Sequence, residues 1–194
     1  MNNRKELSIM KEPLKCFINA GHNPTHPTDP DPGAHGFGVW EADIVRDIAP
    51  QVIKYLEAAG VIVVGSMQAE LRDVVQTANA TNADLFVSLH CNSADSSASG
   101  TETFYCLGST LGKKYARIMQ KQLIDSLHTV DRGIKDDTQS AVGRLYVLRN
   151  TTMPAILIEI AFISNYDDNQ LLINQQDTIA RAIARGITDI GQEM

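Results

Sequence analysis

One glutamate in this sequence stands where an ionised side chain should be costly. Glu159 interrupts an apolar run between residues 154 and 165, and residues 156–158 have the pattern of a strand buried on both faces of a parallel sheet. An unpaired charge is unfavourable in such a place. We therefore expect a cation, a proton or a position at the open end of the strand to compensate Glu159. A strand-end glutamate paired with an arginine is the plainer alternative.

Three further residues could form a site with Glu159. His22 follows the first predicted strand, His90 ends the third, and Glu41 begins the first long helix, where the helix dipole favours a carboxylate. Ligands collect at the carboxyl ends of the strands in an open α/β sheet. Two histidines and a carboxylate are the donor set of a zinc site with an open fourth position, beside which another glutamate can act as general base. The dication would also compensate Glu159.

Each of these residues also has an ordinary interpretation. His90 alone fits a hydrogen-bonded histidine at a strand end, and Glu41 alone fits an acidic residue in the first turn of a helix. The potential ligands are scattered along the chain, and an HExxH motif is absent from the sequence. Spacing by itself therefore indicates a metal site only weakly.

Strands and helices alternate along the chain. This alternation, without an internal repeat, predicts an α/β fold: a single domain with a mostly parallel central sheet and helices on both faces. Residues 61–64 are expected to be a buried strand and residues 101–107 an exposed or edge strand. The remaining predicted strands are residues 15–20, 84–89, 145–148 and the segment leading to Glu159, and the predicted helices are residues 40–59, 70–81, 111–127 and 167–190, the last in two pieces.

Three features interrupt this pattern. Residues 21–38 are so dense in proline, glycine, aspartate and asparagine that they predict a long loop. A loop of this length in a compact domain is usually either functional or disordered. Residues 131–143 are polar and also predict a loop. Pro50 lies within the apolar stripe of the first long helix, where it removes a backbone donor and predicts a kink or a break.

Length and charge exclude several classes of protein. At 194 residues, the chain suits one folded domain, residues 15–194, preceded by an N-terminal arm, residues 1–14. The net charge of -6 and the lack of a Lys/Arg patch argue against nucleic acid as a partner. No apolar run is long enough to cross a bilayer, so no membrane insertion is expected. The N-terminus lacks the apolar stretch of a signal peptide, which predicts synthesis in the cytoplasm.

Several blocks of the sequence resemble one known family. They are residues 18–24 (INAGHNP), 31–34 (DPGA), 83–92 (ADLFVSLHCN) and 154–165 (PAILIEIAFISN), together with Glu41. These blocks are similar, and similarly ordered, to those of the zinc-dependent N-acetylmuramoyl-L-alanine amidases of the type 3 amidase family. The resemblance covers almost the whole predicted domain.

This resemblance implies a site and a reaction. His22, Glu41 and His90 would bind one Zn²⁺ per chain, and Glu159 would be the catalytic carboxylate. The substrate would be peptidoglycan, cleaved at the amide between the lactyl group of N-acetylmuramic acid and L-alanine. A monomer is expected, which would reach the cell wall as a phage lysin or as the catalytic domain of a secreted protein.

The chain departs from the family pattern at three places. Val74 stands where the family often has an arginine, and Asn23 and Pro24 stand where Gly-Gly often follows the first histidine. These two departures bear on substrate contacts. Residues 106–111 leave no space for the inhibitory helix that some periplasmic members insert, so activity without an activator protein is expected.

Two other functions stay open at this point. One is a zinc carboxypeptidase or deacetylase that acts on a different bond of the cell wall. The other is a wall-binding module that has lost catalysis, although the presence of His22, Glu41, His90 and Glu159 together argues against it. The amidase is the function that the resemblance favours.

Overall fold

A six-stranded sheet forms the centre of the protein. The computed structural model describes residues 12–194, apart from the side chains of residues 66 and 67. Within that part, the strands are β1 Lys15–Ala20, β2 His35–Gly36, β3 Val39–Trp40, β4 Ile62–Met67, β5 Leu85–Asn92, β6 Thr101–Tyr105, β7 Asp131–Asp136 and β8 Ala155–Phe162. The sheet has the order β4-β1-β5-β8-β6-β7, and β2 pairs with β3 in a separate ribbon. Most of the predicted N-terminal arm lies outside the described residues, so the domain division stays a prediction.

Helices cover both faces of this sheet. They are α1 Glu41–Ala58, α2 Leu71–Ala80, α3 Thr110–Leu127, α4 Tyr146–Asn150, α5 Tyr166–Asn174 and α6 Gln176–Gln192. On one face, α1, α3 and α6 share an apolar cluster with β1, β5 and β8. On the other, α2 and α4 cover a second cluster that contains Phe17, Phe86 and Leu157. None of the described helices combines the length and apolar character that crossing a bilayer requires.

The strand directions confirm the predicted fold class, a single α/β domain with a mostly parallel sheet. Strands β4, β1, β5 and β8 all run parallel. Strand β6 is antiparallel to β8, and the edge strand β7 is parallel to β6. Because β1, β5 and β8 are parallel neighbours, the residues at their carboxyl ends meet at one edge of the sheet.

The edges of the sheet differ from the prediction. The strand predicted at residues 61–64 is an edge strand, in which Ile62 is 44% exposed. The predicted edge strand at residues 101–107 is instead buried throughout β6, because β7 covers its outer side. Strand β7 lies within residues 131–143, where the sequence predicts a loop. The sequence of β7 is charged and lacks the alternation of apolar residues that predicts a strand. Charged residues are typical of edge strands, where they prevent pairing with a strand of another molecule.

The prediction of a strand at residues 145–148 is also wrong, because residues 146–148 belong to helix α4. A short apolar segment carries too little periodicity to separate a strand from a helix. Val147 and Leu148 are buried in the same cluster as Val74 of α2. Asn79 of α2 also fixes the end of α4, since its side chain donates to the Asn150 carbonyl at 2.8 Å.

Helix α1 runs through Pro50 without the break that the sequence predicts as one possibility. Pro50 is exposed, so the carbonyl oxygen of Arg46, which loses its helical donor, lies on the side of the helix that water can reach. Gly60 follows the C-terminal end of the helix as expected and has a φ of +81°. The amides of Gly60 and Val61 bond back to Glu57 and Leu56, both at 3.0 Å, which is a Schellman ending.

A buried ion pair fixes the segment between β7 and α4. Asp137 is fully buried in a short 3₁₀ turn (Asp137–Gln139) and pairs with Arg149 of α4. Its carboxylate also accepts a hydrogen bond from the Leu107 amide at 2.7 Å. This one carboxylate therefore ties together the chain after β6, the turn after β7 and helix α4.

Loss of this ion pair should destabilise the fold strongly. Arg149→Met leaves the Asp137 carboxylate buried with a backbone donor but no cation, and breaking a buried pair in this way costs about 3–5 kcal/mol. Arg185→Met is the matched control, because Arg185 is 63% exposed where it pairs with Asp189 on α6, and such surface pairs contribute about 0–1 kcal/mol. Urea unfolding measures both free energies. Equal losses of unfolding free energy in the two variants would show that the Asp137–Arg149 pair stabilises the fold no more than a surface pair does.

Candidate metal centre and active-site cleft

A row of side chains crosses the sheet at its carboxyl edge. His90 of β5 is the register partner of Glu159 of β8. Glu159 is in turn directly opposite Glu102 of the antiparallel strand β6. Residues opposite one another in neighbouring strands project from the same face. The sheet thus places a histidine and two glutamates side by side, and the loops above it add the remaining groups.

His22 enters this site from the loop that follows β1. Its φ of +70° is in the left-handed region, which histidine adopts more readily than most residues. The neighbouring Gly21 is needed because a Cβ there would lie 2.3 Å from the His90 ring. Gly33 has the same role, since a Cβ would lie 2.6 Å from His22 Nε2 and 2.7 Å from Glu41 Oε2. Two glycines therefore leave the space that the imidazoles occupy.

Glu41 joins the two histidines. It is 3% exposed at the start of α1. Its Oε1 lies 2.9 Å from His90 Nδ1 and accepts a hydrogen bond from the Cys91 amide at 2.9 Å. Its Oε2 lies 2.9 Å from His22 Nε2 and accepts from the Ala34 amide at 3.0 Å. A carboxylate at a helix N-terminus with two amide donors is held both in place and in its ionised form.

The two ring nitrogens of His22 have different surroundings. Nδ1 lies 2.9 Å from Asp31 Oδ2, a contact that fixes the ring orientation. Nε2 is buried and has no hydrogen-bond partner among the described residues, because its contact with Glu41 lacks hydrogen-bond geometry. A buried polar atom without a partner is uncommon and indicates an absent ligand such as an ion or water.

The predicted metal ligands come together. One ligand atom from each of His22, Glu41 and His90 lies within 4.8 Å of the others, and within residues 12–194 they are the group that could hold a metal ion. The other two histidines of the 21–38 segment lie outside it: His26 accepts from the Asp29 amide at 2.9 Å, and His35 packs on Trp40 with ring centres 4.5 Å apart.

Proton affinities at the site reflect its carboxylates. Burial alone lowers the pKa of His22, but the neighbouring Glu41 and Asp31 carboxylates raise it to about 9. Burial alone raises the pKa of Glu41, but its contacts with His22 and His90 hold that pKa well below the usual range. In the metal-free protein at neutral pH, His22 is therefore protonated and Glu41 is ionised.

Glu159 has no such compensation. Burial, and then the charges of Glu41 and Glu102, raise its pKa well above the usual range, against a smaller lowering by Lys135. Its Oε2 is buried without a hydrogen-bond partner in the described part of the chain. Strand β8 continues to Phe162, so Glu159 is not at the open end of the strand. No arginine pairs with it among residues 12–194, so the plain ion-pair alternative does not apply.

The cleft beside Glu159 contains charged residues to which the sequence analysis assigns no role. Glu102 is buried in β6 and accepts from Arg132 Nε at 2.8 Å and Lys135 Nζ at 2.5 Å, both from β7. These residues and the predicted site line one open cleft of about 480 Å³. Their charge is the signal that the sequence offers. The interpretation of residues 131–143 as a polar loop hides the strand that places Arg132 and Lys135 in the cleft. Val74 lies elsewhere, fully buried in the core.

Residues 21–38 border one side of this cleft, which they line through His22 and Ala34. The segment is loop, as predicted, apart from β2 and a bridge between Asn23 and Asp31. The opposite wall is formed by the turn and loop before α4, from Gln139 to Leu145. Between β6 and α3 the chain has only residues 106–109, which agrees with the expected lack of an inserted helix.

Comparison with known proteins shows that the chain is similar to several amidases and to a phage endolysin. A family model described as N-acetylmuramoyl-L-alanine amidase matches residues 16–189. The chain is 36% identical to the N-acetylmuramoyl-L-alanine amidase LytC of Bacillus subtilis over 94% of its length, and 35% identical to the endolysin of Bacillus phage SPP1 over 90%. It spans 37% of LytC and 65% of the endolysin.

Solved structures of related enzymes share the fold. The N-acetylmuramoyl-L-alanine amidase of Clostridium difficile 630 superposes with a TM-score of 0.84 at 29% identity, and the match covers 94% of this chain and 98% of that one. The agreement extends over nearly all of both chains, so the sheet and helices described above are those of a known catalytic fold.

The affinity of the site for a metal should rise with pH. Below about pH 9, His22 carries a proton in the metal-free protein, and a metal ion must displace it to reach the nitrogen. The association constant for Zn²⁺ should therefore rise by close to tenfold per pH unit between about pH 7 and pH 8. Calorimetric titration in buffers of different ionisation enthalpy counts the released proton.

Asp31→Asn is the matched variant for this experiment. It removes one of the two carboxylates that raise the pKa of His22, so fewer protons should be released on metal binding at about pH 8. An association constant independent of pH in the wild-type protein would show that His22 Nε2 does not bind the metal.

Proposed function

The chain belongs to the N-acetylmuramoyl-L-alanine amidase family, and on that premise we propose that it is a zinc enzyme that hydrolyses peptidoglycan. The bond cleaved is the amide between the lactyl group of N-acetylmuramic acid and the L-alanine of the stem peptide. The observation that carries this proposal is the convergence of His22, Glu41 and His90 beside Glu159 in one open cleft.

The donor set supports zinc as the metal. Two imidazole nitrogens and a carboxylate oxygen are ligands that zinc accepts with a position left for substrate. His22 Nε2, buried without a hydrogen-bond partner among the described residues, is the atom that most needs such an ion. Asp31 on the other ring nitrogen is the outer carboxylate that orients a ligating histidine. A zinc ion held by His22, Glu41 and His90 would supply a Lewis acid for the scissile carbonyl and a more acidic water.

Glu159 is the proposed proton carrier. Its carboxyl group lines the same cleft as His90, its neighbour across the sheet. As general base it would take a proton from the attacking water, and as general acid it would transfer that proton to the leaving amine of L-alanine. The group must be ionised to begin this cycle. Burial disfavours that form, and a nearby dication favours it.

The cleft suits a polymeric substrate. It is open to solvent between the 21–38 wall and the wall formed from Gln139 to Leu145. A glycan strand with attached peptides can therefore lie across it without threading. In keeping with the names of the SPP1 endolysin and LytC, the proposed role is wall lysis or remodelling. The proposed enzyme acts as a monomer with one zinc ion per chain.

Product analysis tests the proposal directly. Purified sacculi are incubated with the zinc-loaded protein, and the released products are identified by mass spectrometry. Amidase activity yields intact stem peptides with a new L-alanine amine. Release of acetate would identify a deacetylase, release of a single terminal amino acid a carboxypeptidase, and binding without any product a wall-binding module.

Glu159→Gln should separate catalysis from metal binding. The change removes the base with little change of shape, so kcat should fall by about 10²–10⁴-fold, while zinc content stays near the wild-type value. Because the pKa of Glu159 is raised in the folded protein, its ionisation destabilises the metal-free fold progressively as pH rises above the ordinary value. The variant should therefore be as stable as the wild type or more so at neutral pH.

Glu57→Gln serves as the control, since Glu57 is exposed on α1, outside the residues that line the cleft. Initial rates, metal analysis and thermal unfolding are compared for both variants. A folded, zinc-loaded Glu159→Gln protein that retains wild-type turnover would remove Glu159 from the mechanism.

A further inference from the structure

Two cations share a single buried carboxylate in the floor of the cleft. Arg132 Nε and Lys135 Nζ both contact Oε2 of Glu102, at 2.8 and 2.5 Å. The other oxygen of Glu102 accepts from the Asn92 side chain at 2.8 Å. Glu102 needs only one of these cations for neutralisation. The group as a whole therefore carries one net positive charge.

Both cations remain accessible from the cleft. The Glu102 side chain is 5% exposed, whereas those of Arg132 and Lys135 are 33% and 27% exposed, and all three line the cleft. The Arg132 guanidinium lies 4.7 Å from the centre of the Phe162 ring, and its Nη1 donates to the Ser99 carbonyl at 3.3 Å. These contacts hold the planar group in one orientation. Such a fixed, partly desolvated cation binds carboxylates well.

The position of this group relative to Glu159 defines what it can reach. Glu102 is directly across the strand pair from Glu159, and β7 is the next strand. With strands about 4.8 Å apart, the backbone of β7 is about 10 Å from that of β8. Long arginine and lysine side chains on the same face shorten that distance. An anion bound there would lie about one or two residues of extended peptide from the reacting bond, at about 3.3–3.6 Å per residue.

We propose that Arg132 and Lys135, held by Glu102, form a subsite for a carboxylate on the peptide side of the scissile amide. This inference rests on the proposed function and names a feature of its substrate. The second stem residue, a γ-linked glutamate, carries an α-carboxylate that is either free or converted to a carboxamide. That group is one residue beyond the L-alanine whose amide is cleaved. The subsite selects the free carboxylate over the uncharged carboxamide.

The substrate comparison on wild-type protein is the primary test. Two soluble muramoyl tripeptides are used that differ only in whether the second residue bears an α-carboxylate or an α-carboxamide. The carboxylate form should have the higher kcat/KM, by about 10- to 100-fold, the range of a charge-assisted hydrogen bond. Most of the difference should be in KM, because the subsite lies away from the reacting atoms. Equal kcat/KM for the two substrates overturns the inference.

Variants of Lys135 test the residue assignment. Lys135→Met should bring the ratio of the two kcat/KM values close to one by slowing the carboxylate substrate, while Arg132 still neutralises Glu102. Lys135→Arg keeps the charge and should keep the preference. Lys121→Met is the matched control, because Lys121 is 75% exposed on α3, where it pairs with Asp125. A folded Lys135→Met protein that retains the full preference overturns the assignment.

Failure of this inference is distinguishable from failure of the proposed function. Zinc content and thermal unfolding are measured for every variant, so a loss of fold is recognised. Cleavage of both tripeptides at the same rate leaves the amidase in place and removes only the subsite. If wild-type protein cleaves neither tripeptide nor sacculi, the proposed function itself is wrong, and the subsite is overturned with it.

Discussion

The central physical constraint of this protein is the placement of three carboxylates at one edge of an apolar sheet, where Glu41 and Glu102 are buried and Glu159 is partly buried. Glu41 is compensated by two imidazoles and two amides, and Glu102 by two cations. Glu159, between them, has neither, so its pKa is raised by burial and by both neighbours. The unequal compensation distinguishes their tasks. The paired carboxylates are fixed in charge and position, whereas the unpaired one can exchange a proton, as a general base must.

Much of this site can be predicted from sequence because the topology is regular. In a parallel sheet, residues that end neighbouring strands converge, so His22 and His90 can be placed near Glu159 without knowledge of any distance. Glu41 follows from its position at a helix start. The contribution of Asp31 and the glycines beside His22 is harder to predict, because it depends on how a long loop folds back on the helix.

Other parts could not be predicted from local pattern, for definite physical reasons. Strand β7 is polar because one side of an edge strand faces solvent and charge protects it from further pairing; its sequence therefore resembles a loop. The segment that forms α4 is too short to show a period, and packing against α2 decides its structure. Pro50 breaks no helix because its ring and the carbonyl left without a donor lie on the exposed side. For α4 the deciding contact is distant in sequence, whereas β7 and Pro50 depend on which side of the element faces solvent.

The antiparallel pairing of β6 with β8 has a consequence for how such an enzyme can diversify. It brings Glu102, near the beginning of β6, beside Glu159 in the interior of β8. The reacting groups therefore stand on hydrogen-bonded backbone that cannot slip without inverting its side chains. The two walls, by contrast, are largely loop, which tolerates changes of length. Insertions or deletions there can reshape what the cleft admits while the spacing of the chemical groups stays constant. The paired strands β6 and β8 thus keep the chemical groups at a constant spacing. Substrate recognition can therefore evolve separately from catalysis.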